Sequence, residues 1–325
     1  MKQFVSRISL FLLFVFLGGL LIETALLSRQ NEYSYKYSYL QKRKSDIECL
    51  ILGASISNNN INAHYIRHSF NAGTSGRPLC YDYELAKRFI GDMPKLKSLV
   101  LTITASQLYR DYHYKVASVL NDDNRDATYR CMHYKYMGLP YDSDDFIYWS
   151  EILNSSYDYM GRFLVDNTSN KGCDSLGYVK LTGHLEDPNL KDWKQLRVFK
   201  DVDYNDPYLE SAINKNINYI KDIAIICKNN GVRFILLQTP FHPAARQMVT
   251  AKDKKNLNQC LNEVLAENKD VEYYDFSNDT LFNDDKFYYN TTHLNTLGAT
   301  MISISINTIV GGGKSPGINI IRSGG

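Results

Sequence analysis

Glu48-Cys49-Leu50-Ile51-Leu52-Gly53-Ala54-Ser55-Ile56-Ser57 is the stretch that decides the fold. A short apolar run without polar alternation, stopped by glycine, reads as a strand buried on both faces, the kind found in parallel sheets. Working outward, helical spacing is expected over 61–68, and Ser69-Phe70-Asn71 reads as a second strand ending in the turn Ala72-Gly73-Thr74-Ser75-Gly76. A helix over 81–90 and a third strand over 99–103 follow. Beyond residue 205 the rhythm resumes with an amphipathic helix over 212–227, closed by Asn229-Asn230-Gly231, where glycine supplies the left-handed stop. A fourth strand over 233–237 stops before Pro240, a helix spans 254–267, a fifth strand spans 271–275, and a closing helix covers 297–309. Strands alternating with helices imply one parallel sheet covered on both faces.

The rhythm fails between 107 and 205, a stretch rich in Tyr, Asp and Asn that reads as an insertion or lid between the third and fourth strands. Residues 1–29 form a cytoplasmic stub and transmembrane anchor, 30–46 a Tyr-rich linker, 47–310 the α/β domain and 311–325 a flexible tail. In the linker, Tyr33, Tyr35, Tyr37 and Tyr39 alternate with polar residues, which suits a strand, and a helix continuing from the membrane is the alternative.

Lys2 and Arg7 precede an apolar stretch from Ile8 to Leu27, long enough to cross a bilayer as a helix. Positive charge before the span places the N-terminus in the cytoplasm and everything after it outside the cytoplasmic membrane. A cleaved signal peptide is the alternative, and no small-x-small cleavage site follows the span. The formal net charge of +2, without a basic stripe interleaved with aromatics, gives no reason to expect nucleic acid. The six cysteines are widely spaced without a C-x-x-C pair, which argues against zinc. Cys49 and Cys227 sit in apolar runs as buried thiols, and Cys131 with Cys173 is the one pair nominated for a disulfide.

Ser55 follows the first strand, at the carboxyl edge where open parallel sheets place their sites. Near the C-terminus, Asn290-Thr291-Thr292-His293-Leu294-Asn295-Thr296-Leu297-Gly298-Ala299 carries a histidine just before a helix. Together with the glycine block after the second strand, these segments resemble the sequence blocks of the SGNH/GDSL superfamily of ester hydrolases and acyl transferases. The His-Leu-Asn-x-x-Gly-Ala continuation looks like membrane-anchored bacterial members associated with surface polysaccharides. The resemblance implies an SGNH-like (flavodoxin-like) three-layer α/β fold with about five parallel strands. It makes Ser55 the nucleophile and His293 the general base. Gly76 is the oxyanion donor, with Gly73 as alternative and the Ser55 N–H as partner. No metal or organic cofactor is implied.

Three departures from the superfamily pattern bear on activity. Ala54 replaces the usual polar residue before the serine. Thr104-Ala105-Ser106-Gln107 lacks the asparagine that completes the oxyanion hole. Asn290 stands where an aspartate normally orients the histidine, and Asp285, Asp284 or Asp275 could substitute. In serine proteases, exchanging that aspartate for asparagine costs about 10⁴ in turnover because the imidazole adopts the wrong tautomer. The implied function is an extracytoplasmic ester hydrolase or O-acetyl transferase acting on a cell-envelope glycan or an acylated small molecule, with polysaccharide-assembly membrane proteins as partners. The alternative is a catalytically silent glycan-binding or assembly protein on the same fold.

Overall fold

A computed structural model describes residues 2–27, 32–109, 172–185, 202–313 and 319–322. The chain divides into two compact units, the first holding α1 (Lys2–Leu27) and the start of α2 (Glu32–Arg43), the second everything described from Lys36 onward. Helix α1 carries an apolar span, Lys2–Ala25, of mean hydropathy 2.3. That is long and apolar enough to cross a membrane, as an anchor or as a signal sequence.

In the second unit the strands are β1 (Cys49–Leu52), β2 (Ser69–Asn71), β3 (Ser98–Thr102), β4 (Arg233–Gln238), β5 (Val271–Asp275) and β6 (Asn319–Arg322). They lie in the order β2-β1-β3-β4-β5-β6, the first five parallel and β6 antiparallel to β5. The parallel part has the flavodoxin-like 2-1-3-4-5 order, whose switch point lies between β1 and β3. Ser55 leaves the sheet there. The helices are α3 (Ser55–Asn60), α4 (Leu79–Phe89), α5 (Ala105–Leu108), α6 (Leu209–Asn229), α7 (Pro243–Met248), α8 (Ala251–Glu267) and α9 (Thr296–Val310). Because side chains alternate across a strand, Cys49, Ile51, Val100, Ile235 and Leu237 form one core with Ile302, Ile306 and Ile309 of α9. Helices α4, α6 and α8 pack together as a separate layer, with α6 on β4 and α8 on β5.

Three expectations change. The helix expected over 61–68 is replaced by α3 upstream and a single 3₁₀ turn at Ala63–Tyr65, because buried asparagines take the backbone groups a helix would use. The Asn62 side chain accepts the His64 N–H, and Asn71 Nδ2 donates to Ile61 O. The linker is helical rather than a strand: Lys36 and Leu40, four apart on α2, are both buried, and Tyr39 stacks on Phe70 with ring centroids 4.0 Å apart. Part of the expected flexible tail pairs as β6, since β5 would otherwise leave a row of unpaired backbone groups at the sheet edge. Of the insertion, 110–171 and 186–201 lie outside the described residues, Cys131 of the nominated disulfide among them. Segment 172–185 packs beside the carboxyl edge, with Leu176 O accepting from Asn71 N and Val179 N donating to Asn58 O.

Candidate active site

Ser55 owes its position to Gly53. The backbone there has φ +126°, and a Cβ would lie 2.3 Å from Ser57 Oγ and 2.4 Å from Thr102 Oγ1, so only glycine fits. The Gly53 N–H donates to Asp82 Oδ1 at 3.0 Å. Asp82 in turn pairs with Arg77, both fully buried, and Arg77 Nη1 donates to Ala72 O at 2.6 Å. This ion pair ties the end of β1 to the end of β2. Burial pushes the Asp82 carboxyl up, against the opposing pull of Arg77.

The glycine block is built on Asn71, which is wholly buried. Its Oδ1 accepts the Gly73 N–H at 2.9 Å, while its Nδ2 donates to Ser57 O and Ile61 O. The Gly73 N–H is thereby occupied and is not available to an oxyanion. Gly76 has φ +74°, in the left-handed region. Among the described residues, the N–H groups of Gly76 and Ser55 make no hydrogen bond.

His293 sits on a loop pinned from α3. Asn60 Oδ1 accepts the Leu294 N–H at 2.9 Å, and Asn60 Nδ2 donates to Thr239 Oγ1 at 3.2 Å. One turn of the loop is organised by Asn290 Oδ1, which accepts the backbone N–H of Thr292 at 3.0 Å and of His293 at 2.8 Å. Two backbone donors on one atom identify that atom as the amide oxygen. The same oxygen lies 3.1 Å from His293 Nδ1, so it accepts an Nδ1 proton. The imidazole is thereby set with its lone pair on Nε2, the tautomer a general base requires. The wrong-tautomer penalty expected of an asparagine does not arise in this geometry, although the negative charge is still missing.

Nε2 of His293 is buried and has no partner among the described residues. Desolvation lowers the His293 pKa from 6.5 to about 4, so the ring is neutral near pH 7. The three alternative carboxylates are engaged elsewhere. Asp285 Oδ1 takes His242 Nε2 at 2.7 Å, Asp284 binds the Lys286 ammonium and backbone N–H, and Asp275 accepts the Ser277 N–H. None is hydrogen-bonded to His293. His242 is a residue the sequence reading missed. Its Nδ1 accepts the Ala244 N–H and its backbone N–H donates to Thr291 O, which braces the His293 loop from α7.

Ser55 Oγ forms no hydrogen bond, to His293 or to any other described residue. A hydroxyl donor and a lone-pair acceptor of complementary type therefore both stand unpartnered, one at the start of α3 and one on the loop that Asn60 anchors at its end. Past β3, Gln107 is buried, and among the described residues its Nε2 has no partner. Among the described residues no group of three His, Cys, Asp or Glu could hold a metal. A cavity of about 530 Å³ lined by Tyr39, Arg43, His64 and Arg67 opens at the amino-terminal end of β2 and includes none of these site residues.

No family model matches the chain, and no curated protein does. Among solved structures, one provisionally named a platelet activating factor, from Streptococcus pneumonia, is 12% identical with a TM-score of 0.42. The match covers 90% of this chain and 97% of that one. A likeness of that size carries no inference about the site.

Proposed function

We propose that the second unit is an SGNH-type serine ester hydrolase or O-acyl transferase, held outside the cytoplasmic membrane by α1 and acting on an acylated cell-envelope glycan. The observation that supports this most strongly is the orientation of His293: backbone N–H groups fix Asn290 Oδ1, Asn290 fixes Nδ1–H, and Nε2 is left as an unpartnered base. In the reaction, Ser55 Oγ attacks the ester carbonyl and His293 Nε2 takes its proton. The Ser55 and Gly76 N–H groups meet the developing oxyanion, each such donor being worth roughly 3 kcal/mol where tested. The imidazolium returns its proton to the departing sugar oxygen, leaving the acyl group on Ser55. A water or an acceptor hydroxyl, deprotonated by His293, then releases it. Hydrolysis and transfer differ only in that second acceptor.

The competing reading, a silent glycan-binding protein, draws on the missing Ser55–His293 hydrogen bond and on the neutral Asn290. Catalytic hydrogen bonds often close only with substrate bound, so the missing bond does not count against the enzyme. A fluorophosphonate probe separates the two. Labelling of the full chain that disappears in both Ser55→Ala and His293→Gln supports the esterase, and a folded wild type that takes no label supports the silent protein.

A further inference from the structure

Lys36 is a charged residue in a position that ordinarily excludes one. It is 2% exposed, yet lysine is almost never fully buried unless it is paired. It lies on α2, which follows α1 in the chain after residues 28–31. From Lys36 onward, α2 packs within the second unit through buried Leu40, the Tyr39–Phe70 stack and the Arg88 Nη1 bond to Tyr37 OH. From it the Lys36 ammonium reaches two segments far away in sequence. It donates to Asn58 Oδ1 at 2.7 Å and, closely, to Gly73 O.

Those two partners belong to the two halves of the site. Asn58 is on α3, three residues after Ser55 and so on the same side of the helix. Gly73 opens the turn that ends at Gly76, and Asn58 Nδ2 also reaches Ser75 Oγ of that turn at 3.4 Å. A single ammonium thus bridges the helix that carries the nucleophile and the turn that carries the oxyanion donor.

We propose that Lys36 is a positioning residue for the Ser55 reaction, and that α2 is a working part of the site rather than a linker. The proposal rests on the serine-esterase reading. Its reasoning is geometric and electrostatic. The spacing between Ser55 Oγ and the Gly76 N–H depends on how α3 sits against the turn, and displacements near 1 Å at such a site cost about 10²-fold in rate. The buried positive charge also lies beside the block where negative charge develops during acylation, and in a site shielded from water such a field acts strongly. Strand-end geometry is set independently by the Arg77–Asp82 pair, so loss of Lys36 acts on the α3–turn spacing and leaves the β1–β2 link intact.

The test uses the full chain in detergent or liposomes. Lys36→Met, which keeps the length of the side chain without its charge, is compared with wild type for melting temperature, fluorophosphonate labelling rate and the kcat and KM for a simple acetyl ester. The expected result is a cooperative melt, kcat lowered roughly tenfold to a hundredfold and little change in KM. Added ethylammonium should recover part of the lost kcat in Lys36→Ala, which leaves room for it, and have no effect on wild type. If Lys36→Met does not fold, Asn58→Leu removes the same bridge from the other end and should show the same kcat loss. Unchanged kcat in whichever folded variant is measured overturns the proposal while leaving the esterase reading intact. A folded wild type without Ser55-dependent labelling overturns the esterase reading, and the role of Lys36 with it.

Discussion

Replacing Asn290 by aspartate isolates what a charge contributes to this site. An aspartate oxygen in place of Asn290 Oδ1 keeps the two backbone N–H bonds and the 3.1 Å approach to His293 Nδ1. It adds a negative charge beside the imidazole. Two unit charges about 4 Å apart interact by about 4 kcal/mol at an effective dielectric near 20. That sets the scale of the stabilisation of the imidazolium, and it corresponds to roughly three pH units. His293, held at about 4 by desolvation, should therefore titrate near the ordinary histidine range in Asn290→Asp. Desolvating the new carboxylate destabilises the resting and transition states alike, so that penalty falls on folding and largely cancels in the rate. At 1.36 kcal/mol per factor of ten, kcat/KM for an acetyl ester should rise between about tenfold and a thousandfold. The gain stays below the 10⁴ lost on the reverse exchange in serine proteases, because here the amide oxygen already enforces the productive tautomer. The assay is a pH–rate profile of ester hydrolysis together with an NMR titration of His293. Activity that falls in Asn290→Asp, or an acid limb that stays near pH 4, would refute the placement of Asn290 against Nδ1.

Three further outcomes are expected. His293 is neutral when folded and has an ordinary pKa of 6.5 when unfolded, so its contribution to stability is complete above pH 6.5 and is lost as pH falls through about 4. The full loss is about 3 kcal/mol, and urea titrations of His293→Gln should lack that part of the acid sensitivity. Arg77→Met strands the buried Asp82 carboxylate and should cost about 3–5 kcal/mol, with thermal melts recovering when Asp82→Asn is added. A reporter fused after residue 325 should work only if it matures outside the cytoplasmic membrane, and cytoplasmic reporter activity would reverse the orientation given by Lys2 and Arg7.

Much of the sheet was legible because β1, β3 and β4 carry unbroken apolar runs, and Gly53 and Pro240 mark where the first and fourth strands stop. The fifth strand has the expected limits, Val271–Asp275, and α8 begins only a few residues early, where Thr250 and Asp253 form a capping box. The helix misread over 61–68 shows the limit of periodicity. Ile61 and Ile66 are both buried as expected, but Asn62 and Asn71 offer side-chain partners that compete with helical bonds, which apolar spacing does not register. Of the proposed site, Ser55, Asn290 and His293 come from motif spacing. The direction of the Asn290 amide does not, since it depends on two backbone N–H groups that converge only once the turn has formed. Asp285 was a reasonable substitute acid by proximity in sequence. Its actual partner, His242, stands 43 residues away and is brought in by α7. Lys36 was hidden for a similar reason: its two partners lie 22 and 37 residues off, across three elements.

In the proposed reaction Ser55 carries the acyl group. Brief mixing of the full chain with an activated acetyl ester, followed by acid quench and peptide mass analysis, tests it directly. One acetyl group is expected on the peptide containing Ser55, absent in Ser55→Ala and sharply reduced in His293→Gln. Acetylation confined to lysines or to other hydroxyls, and equal in Ser55→Ala, would contradict it.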